Sequence, residues 1–169
     1  ANGGISIWIN FTFLDADDFW FPNHLEEIFK LYTDYPNCGI YTNRYFIKIS
    51  NKKIIKPSYL PEVQNNFKGV LFDYFTASKT YRVGLTSAIA IPKSILQNDF
   101  IFNSEISSGQ DLELYTKIAI EKPVAINNLF TVEYNFSLDN QLSKTPISQK
   151  KLMDFTQFQN AEKANLSLK

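Results

Sequence analysis

The sequence predicts an α/β domain, a mixed sheet flanked by helices, and three observations predict it. Residues 7–14 form an apolar run rich in Trp, Ile and Phe that reads as a largely buried strand, and three carboxylates follow it at once: Asp15, Asp17 and Asp18. Behind them Leu25, Ile28, Phe29 and Tyr32 recur at i, i+3, i+4 and i+7, the stripe of an amphipathic helix entered through Pro22. Strand-like and helix-like runs then alternate as far as Tyr134 without any internal repeat.

The first helix should stop near Asp34-Tyr35-Pro36-Asn37, because proline cannot continue it. Residues 39–50 and 54–59 are β-rich and separated by Asn51-Lys52-Lys53, which predicts a hairpin. Phe67, Leu71, Tyr74 and Phe75 predict a second helix, and residues 83–91 a strand that carries Thr86 and Ser87 on an otherwise small, apolar segment. Pro92 should open a short helix. Residues 111–121 predict a further helix with Leu112, Tyr115, Ile118 and Ala119 inward, ended by Pro123 and followed by two short strands at 124–127 and 129–134. From Ser137 onward polar residues dominate, yet Leu152, Phe155 and Phe158 keep helical spacing. The expected organisation is one domain over residues 1–136 and a polar, helical tail over 137–169.

Composition narrows the function. At 169 residues and 44% hydrophobic, the chain can bury a substantial core. Seventeen basic and seventeen acidic residues cancel, which argues against nucleic acid and against an anionic bilayer as partners. Cys38 stands alone, so no internal disulfide is possible, and without a signal-peptide pattern a reducing, cytoplasmic location is expected, as a free protein or peripheral to the inner face of a membrane. The longest apolar stretch, residues 83–92, is broken by Gly84, Thr86 and Ser87 and falls short of the roughly 18 residues a spanning helix needs, so no transmembrane segment is expected.

Two acidic features carry chemistry. Three carboxylates at a strand end repel one another unless something cationic sits there, and strand carboxyl ends are where open α/β sheets bind ligands. Hard cations such as Mg²⁺ or Mn²⁺ take one or two carboxylates plus substrate phosphates, so Asp15-Ala16-Asp17 fits metal-assisted handling of a phosphorylated ligand. The plainer alternative is a helix entrance in which one Asp caps backbone N–H groups. A calcium loop starting at Asp15 fails because Trp20 stands where glycine is needed and Phe19 replaces an oxygen ligand. Farther on, Gly109-Gln110-Asp111 sets a carboxylate at the start of a helix, either an ordinary N-terminal acid or a base. His24, in a first helical turn with no second His or Cys to share a metal, reads as a surface residue, and Cys38 as a small buried hydrophobe.

Leu14-Asp15-Ala16-Asp17-Asp18, with Trp20, Pro22 and Leu25 behind it, resembles the metal motif of family 2 glycosyltransferases of the GT-A fold. Gly109-Gln110-Asp111, followed by Leu112, Leu114 and Tyr115, is similar to that family's Gly-Glu-Asp segment, with Gln110 in place of the usual Glu. Residues 83–96 with Phe100 resemble the intervening strand and helix, residues 123–134 the strands beyond, and Ala1-Asn2-Gly3-Gly4-Ile5 a family stretch that here lacks its arginine. The resemblance runs in order from the start to about Tyr134. Family members begin with further nucleotide-binding βα units, so the resemblance implies a partial GT-A domain belonging to a longer enzyme.

The resemblance implies an inverting, metal-dependent transfer of a sugar from a nucleotide-sugar donor, a UDP-sugar by analogy, to a hydroxyl on a glycan or lipid-linked acceptor in cell-surface polysaccharide or glycolipid synthesis. Asp17 and Asp15 would hold Mn²⁺ or Mg²⁺, Asp15, Asp17 and Asp18 would meet the nucleotide-sugar, and Asp111 would be the catalytic base. Trp20, Thr86, Ser87 and Gln110 are the expected acceptor or donor contacts. The rival expectation is a non-catalytic fragment or binding module with a weak divalent-cation site.

Overall fold

A computed structural model describes residues 10–51, 53–58, 67–96 and 102–136. In chain order it contains strands β1 (Asn10–Thr12) and β2 (Phe19–Trp20), helix α1 (His24–Asp34), strands β3 (Ile40–Ser50), β4 (Lys53–Ile55) and β5 (Lys68–Val70), helix α2 (Tyr74–Ala77), a 3₁₀ turn (Thr86–Ala88), strand β6 (Ile89–Pro92), helices α3 (Lys93–Leu96) and α4 (Gln110–Glu121), and strand β7 (Val124–Asn135). The mixed α/β class is as the sequence predicts. The helix expected around Leu152 falls outside the described residues, as do residues 1–9.

Two long strands form the spine. β3 and β7 run parallel from Ile40 beside Val124 to Lys48 beside Asn135, an arrangement that needs a long crossover, supplied here by the chain from β4 to α4. Short strands line the spine: β6 pairs with the first half of β3 and β4 with its second half, while β5 and β2 line the corresponding halves of β7. β1 sits outside β6, giving the order β1-β6-β3-β7-β2.

The link over residues 13–18 therefore leads from one sheet edge to the other. In a flat sheet four strand spacings are about 19 Å, and the seven steps from Thr12 to Phe19 reach about 23 Å when fully extended. The link is not extended, since the Asp18 N–H donates back to the Asp15 carbonyl at 3.1 Å. The sheet must curl to bring its edges within reach.

One face of the spine, with Ile40, Tyr45, Ile126 and Val132, packs on Leu114, Tyr115 and Ile118 of α4 and on Tyr74 and Ala77 of α2. On the other face Ile28 and Leu31 of α1 meet Tyr41, Ala90 and Ala125 beside Cys38. Burying a side chain such as Leu31 contributes about 1.5–3 kcal/mol. α4 approaches the start of β3 closely: a Cβ on Gly39 would lie 2.6 Å from Ile118 Cγ2.

Four local expectations need correction. The inward stripe of α1 is His24, Ile28 and Leu31, whereas Leu25 and Phe29 are exposed, so the helix is rotated from its hydropathy pattern. The segment from Phe67 is a strand, with Gly69 opposite Ile126, and helix begins only at Tyr74, where Asp73 accepts from the Thr76 N–H at 3.0 Å. The expected strand over 83–91 starts only at Ile89, because Gly84 takes a φ of 82° and the 3₁₀ turn follows. Finally, residues 124–135 are one strand, irregular against β3 after Asn43, rather than two.

Candidate active site

Antiparallel pairing builds the site. β1 and β6 pair with Thr12 opposite Ala90, and continuing that register by three residues sets Asp15 opposite Ser87. The Asp15 N–H donates to Ser87 Oγ at 3.1 Å. Ser87 Oγ in turn donates to Asp18 Oδ2 at 2.5 Å, and the Trp20 indole N–H donates to the Ser87 carbonyl at 2.5 Å. The other oxygen of Asp18 accepts from the Asn135 N–H at 3.1 Å, where β2 joins β7. One serine thus ties both ends of the acidic loop to the sheet.

The neighbouring residue holds the second motif. Thr86 Oγ1 donates to Asp111 Oδ2 at 3.1 Å, and the Arg82 guanidinium pairs with the same oxygen at 2.6 Å. Both bonds fall on Oδ2. Two carboxylate motifs almost a hundred residues apart in sequence therefore converge on consecutive residues, Thr86 and Ser87. Gly84 permits it: its φ of 82° turns the chain into the 3₁₀ segment, and a Cβ there would lie 2.7 Å from Ile89 Cδ1.

The electrostatics follow. Burial raises the Asp15 pKa, and repulsion from Asp17 and Asp111 raises it further, so these three carboxylates share one field. Burial also raises Asp18, against the pull of its bonds from Ser87 and Asn135. Burial alone disfavours the Arg82 charge, but its pairing with Asp111 outweighs that and the pKa goes up. Asp15 and Asp17 are oxygen donors of the type a hard divalent cation takes, and a cation would relieve the repulsion on Asp15. Among the described residues no group of three or more His, Cys, Asp or Glu side chains converges as a ligand set, so any such ion would need oxygens from its substrate or water.

The remaining candidates divide. Ser87 is fully buried and is taken up by its bonds to Asp15, Asp18 and Trp20. The Gln110 amide donates to the Ile106 carbonyl at 2.8 Å and steadies the loop before α4. Trp20 packs on His24 with ring centroids 4.6 Å apart, so its ring belongs partly to the core. Thr86 is half-buried and bonded to Asp111. A groove of about 580 Å³ lies at the far end of α4, lined by Leu71, Phe72, Tyr74 and Lys122, away from these carboxylates.

Two features escaped the sequence. Arg82 belongs to no motif; its signal is that only two of seventeen basic residues are arginines, the residue suited to fixed carboxylate pairs. His24 is buried rather than on the surface: Nδ1 lies 2.8 Å from Thr131 Oγ1, and burial lowers its pKa to about 4. Cys38 is buried as expected, and burial pushes its thiol up to about 11.

No protein-family model matches this chain, and no curated protein is similar to it. No helix among the described residues is long and apolar enough to cross a membrane.

Proposed function

We propose that this chain carries the metal and base half of an inverting glycosyltransferase site of GT-A type, acting on a nucleotide-sugar, a UDP-sugar by analogy, and a hydroxyl of a glycan or lipid-linked acceptor. The observation that carries this reading is the convergence of the Asp15–Asp17 loop and Asp111 on Thr86 and Ser87. Mn²⁺ or Mg²⁺, when bound, supplies positive charge that offsets the diphosphate as it leaves. Asp15 and Asp17 would hold that ion, Asp15 from a backbone position fixed by Ser87. Asp18 keeps the loop closed, since both its oxygens are engaged with Ser87 and Asn135. Asp111 Oδ1 takes the proton of the acceptor hydroxyl as that oxygen forms its bond to the anomeric carbon and the bond to the diphosphate breaks on the opposite face. Arg82 and Thr86 orient the carboxylate through Oδ2.

A second reading, a binding module with a weak divalent-cation site, is favoured by the Arg82–Asp111 pair, which by itself could serve only to anchor α4. Calorimetric titration with UDP and UDP-sugars, with and without Mn²⁺, tests the transferase reading. It expects nucleotide binding that requires the metal and is lost in Asp17→Asn; metal-independent binding, or none, would count against it.

A further inference from the structure

The charges of this chain cancel in sum but not in space. From Tyr35 to Pro61 there are five cations, Arg44, Lys48, Lys52, Lys53 and Lys56, and no acidic residue. This stretch contains the β3–β4 hairpin, and its pairing decides what shares a face. Lys48 stands opposite Ile54, Phe46 beside Glu133, and Phe19 opposite Glu133, so Phe19, Phe46, Lys48 and Ile54 project from one side of the sheet. That side is the one α1 covers at Tyr41 and Ala125, and α1 covers only the first half of the spine.

Among the described residues the other half is a platform of rings and cations. Phe46 stacks on Phe130 at 4.5 Å, Phe21 meets Phe46 edge-on at 6.0 Å, and Phe19 meets Phe21 edge-on at 5.6 Å. The Arg44 guanidinium lies 4.2 Å from the Phe130 ring centre and the Lys56 ammonium 5.6 Å from that of Phe46. Phe19 is 56% exposed and Ile54 54%, with Lys56, two residues beyond Ile54, exposed beside them. Glu133, the acid in this register, is paired with Lys48 at 2.8 Å.

We propose that this half-face docks on an anionic lipid bilayer, Phe19 and Ile54 entering the headgroup boundary while Lys56 meets lipid phosphates. Cations alone would fit any polyanion; large exposed apolar side chains among them fit a surface that offers both phosphate and hydrocarbon. Lysine suits this use, since its stem packs on apolar surface while its head reaches out. A second copy of the chain would bring like charges together, and the segment 137–169, with five lysines against three acids, is also positive. The inference does not depend on the transferase reading, because the face is opposite the one that packs α4.

The test is co-sedimentation of the full chain with phosphatidylcholine vesicles with and without phosphatidylserine. Binding is expected only to the anionic vesicles and should weaken as salt rises. Lys56→Glu, which removes a positive charge and adds a negative one, should lower the partition coefficient about fivefold or more. Phe19→Ser should weaken binding while preserving its salt dependence. An environment-sensitive dye on Ile54→Cys should shift to the blue only when anionic vesicles are added; Cys38, being buried, should escape labelling. No binding, equal binding to neutral vesicles, or binding unchanged in the lysine variant would overturn the proposal. So would a dye already blue-shifted without vesicles, which would mean that the tail or a second copy covers the face.

Discussion

The Ser87 hydroxyl donates to Asp18 Oδ2 at 2.5 Å from a position that solvent does not reach. Because the Ser87 Oγ also accepts from the Asp15 N–H, the shape of the acidic loop depends on one buried side chain from another strand connection.

Ser87→Ala removes that donor and leaves two polar groups of the loop without their partner. Both bonds are part-buried, so their loss costs about 0.5–1.5 kcal/mol each, which in a domain of this size lowers the melting temperature by roughly 2–4 °C per kcal/mol. Thermal and urea unfolding measure this directly, and a variant as stable as the parent would show that the bond contributes nothing.

Gly84→Ala should be worse than an ordinary surface change. The residue needs a positive φ, and the added Cβ would lie 2.7 Å from Ile89 Cδ1 and 2.8 Å from Ile89 Cγ1. Left-handed backbone costs a non-glycine residue roughly 1–2 kcal/mol, and overpacking adds about 1–3 kcal/mol. A shift in the denaturation midpoint smaller than the Ser87→Ala shift would contradict this ordering.

Much of this was legible in the sequence, for reasons that particular residues make clear. The helix from Gln110 and the hairpin around Asn51 follow from periodicity and turn chemistry, which are local. The pairing of Thr86 with Asp111 and of Ser87 with Asp18 is set by strand register, which no local pattern encodes, although two hydroxyls in an apolar run were a visible cue. The phase of α1 was misread because hydropathy counts His24 as polar, whereas Thr131 supplies its buried partner from another strand. The charge balance is a sum and carries no position: a total of zero is compatible with a β3–β4 hairpin that is wholly basic.

Buried His24 sets a pH dependence whose sign can be worked out. Its pKa is about 4 in the folded chain against 6.5 when unfolded, so between these values the unfolded chain binds more protons. Stability contributed by the neutral imidazole is therefore present above about pH 6.5 and lost as the pH falls toward 4, by at most about 3 kcal/mol. Asp15 and Asp18, raised by burial, act the other way: they gain protons earlier in the folded chain and favour folding as the pH drops through their folded pKa values. Urea unfolding of the parent and of His24→Gln at pH 7.5 and 4.5 separates the two contributions. The parent should lose more stability on acidification than the variant, and equal losses would remove His24 from the account.

Asp111→Asn and Asp17→Asn together decide between the transferase and the module. Asparagine at 111 can still accept from Arg82 and Thr86, so the fold should survive, but it cannot take a proton at the oxygen facing the acceptor. Positioned general-base catalysis contributes about 10²–10⁴-fold, and turnover of a productive donor and acceptor pair should fall by that factor while Mn²⁺-dependent nucleotide binding persists. Asp17→Asn should reverse the pattern, removing the metal-dependent rise in melting temperature, which for a ligand at a hundred times its Kd is worth about 2.7 kcal/mol in the parent. Thr86→Val is the control, since it keeps the shape of the side chain and removes only the hydroxyl bonded to Asp111. If turnover is the same in Asp111→Asn as in the parent, the proton goes elsewhere and the Arg82–Asp111 pair is an anchor for α4 alone.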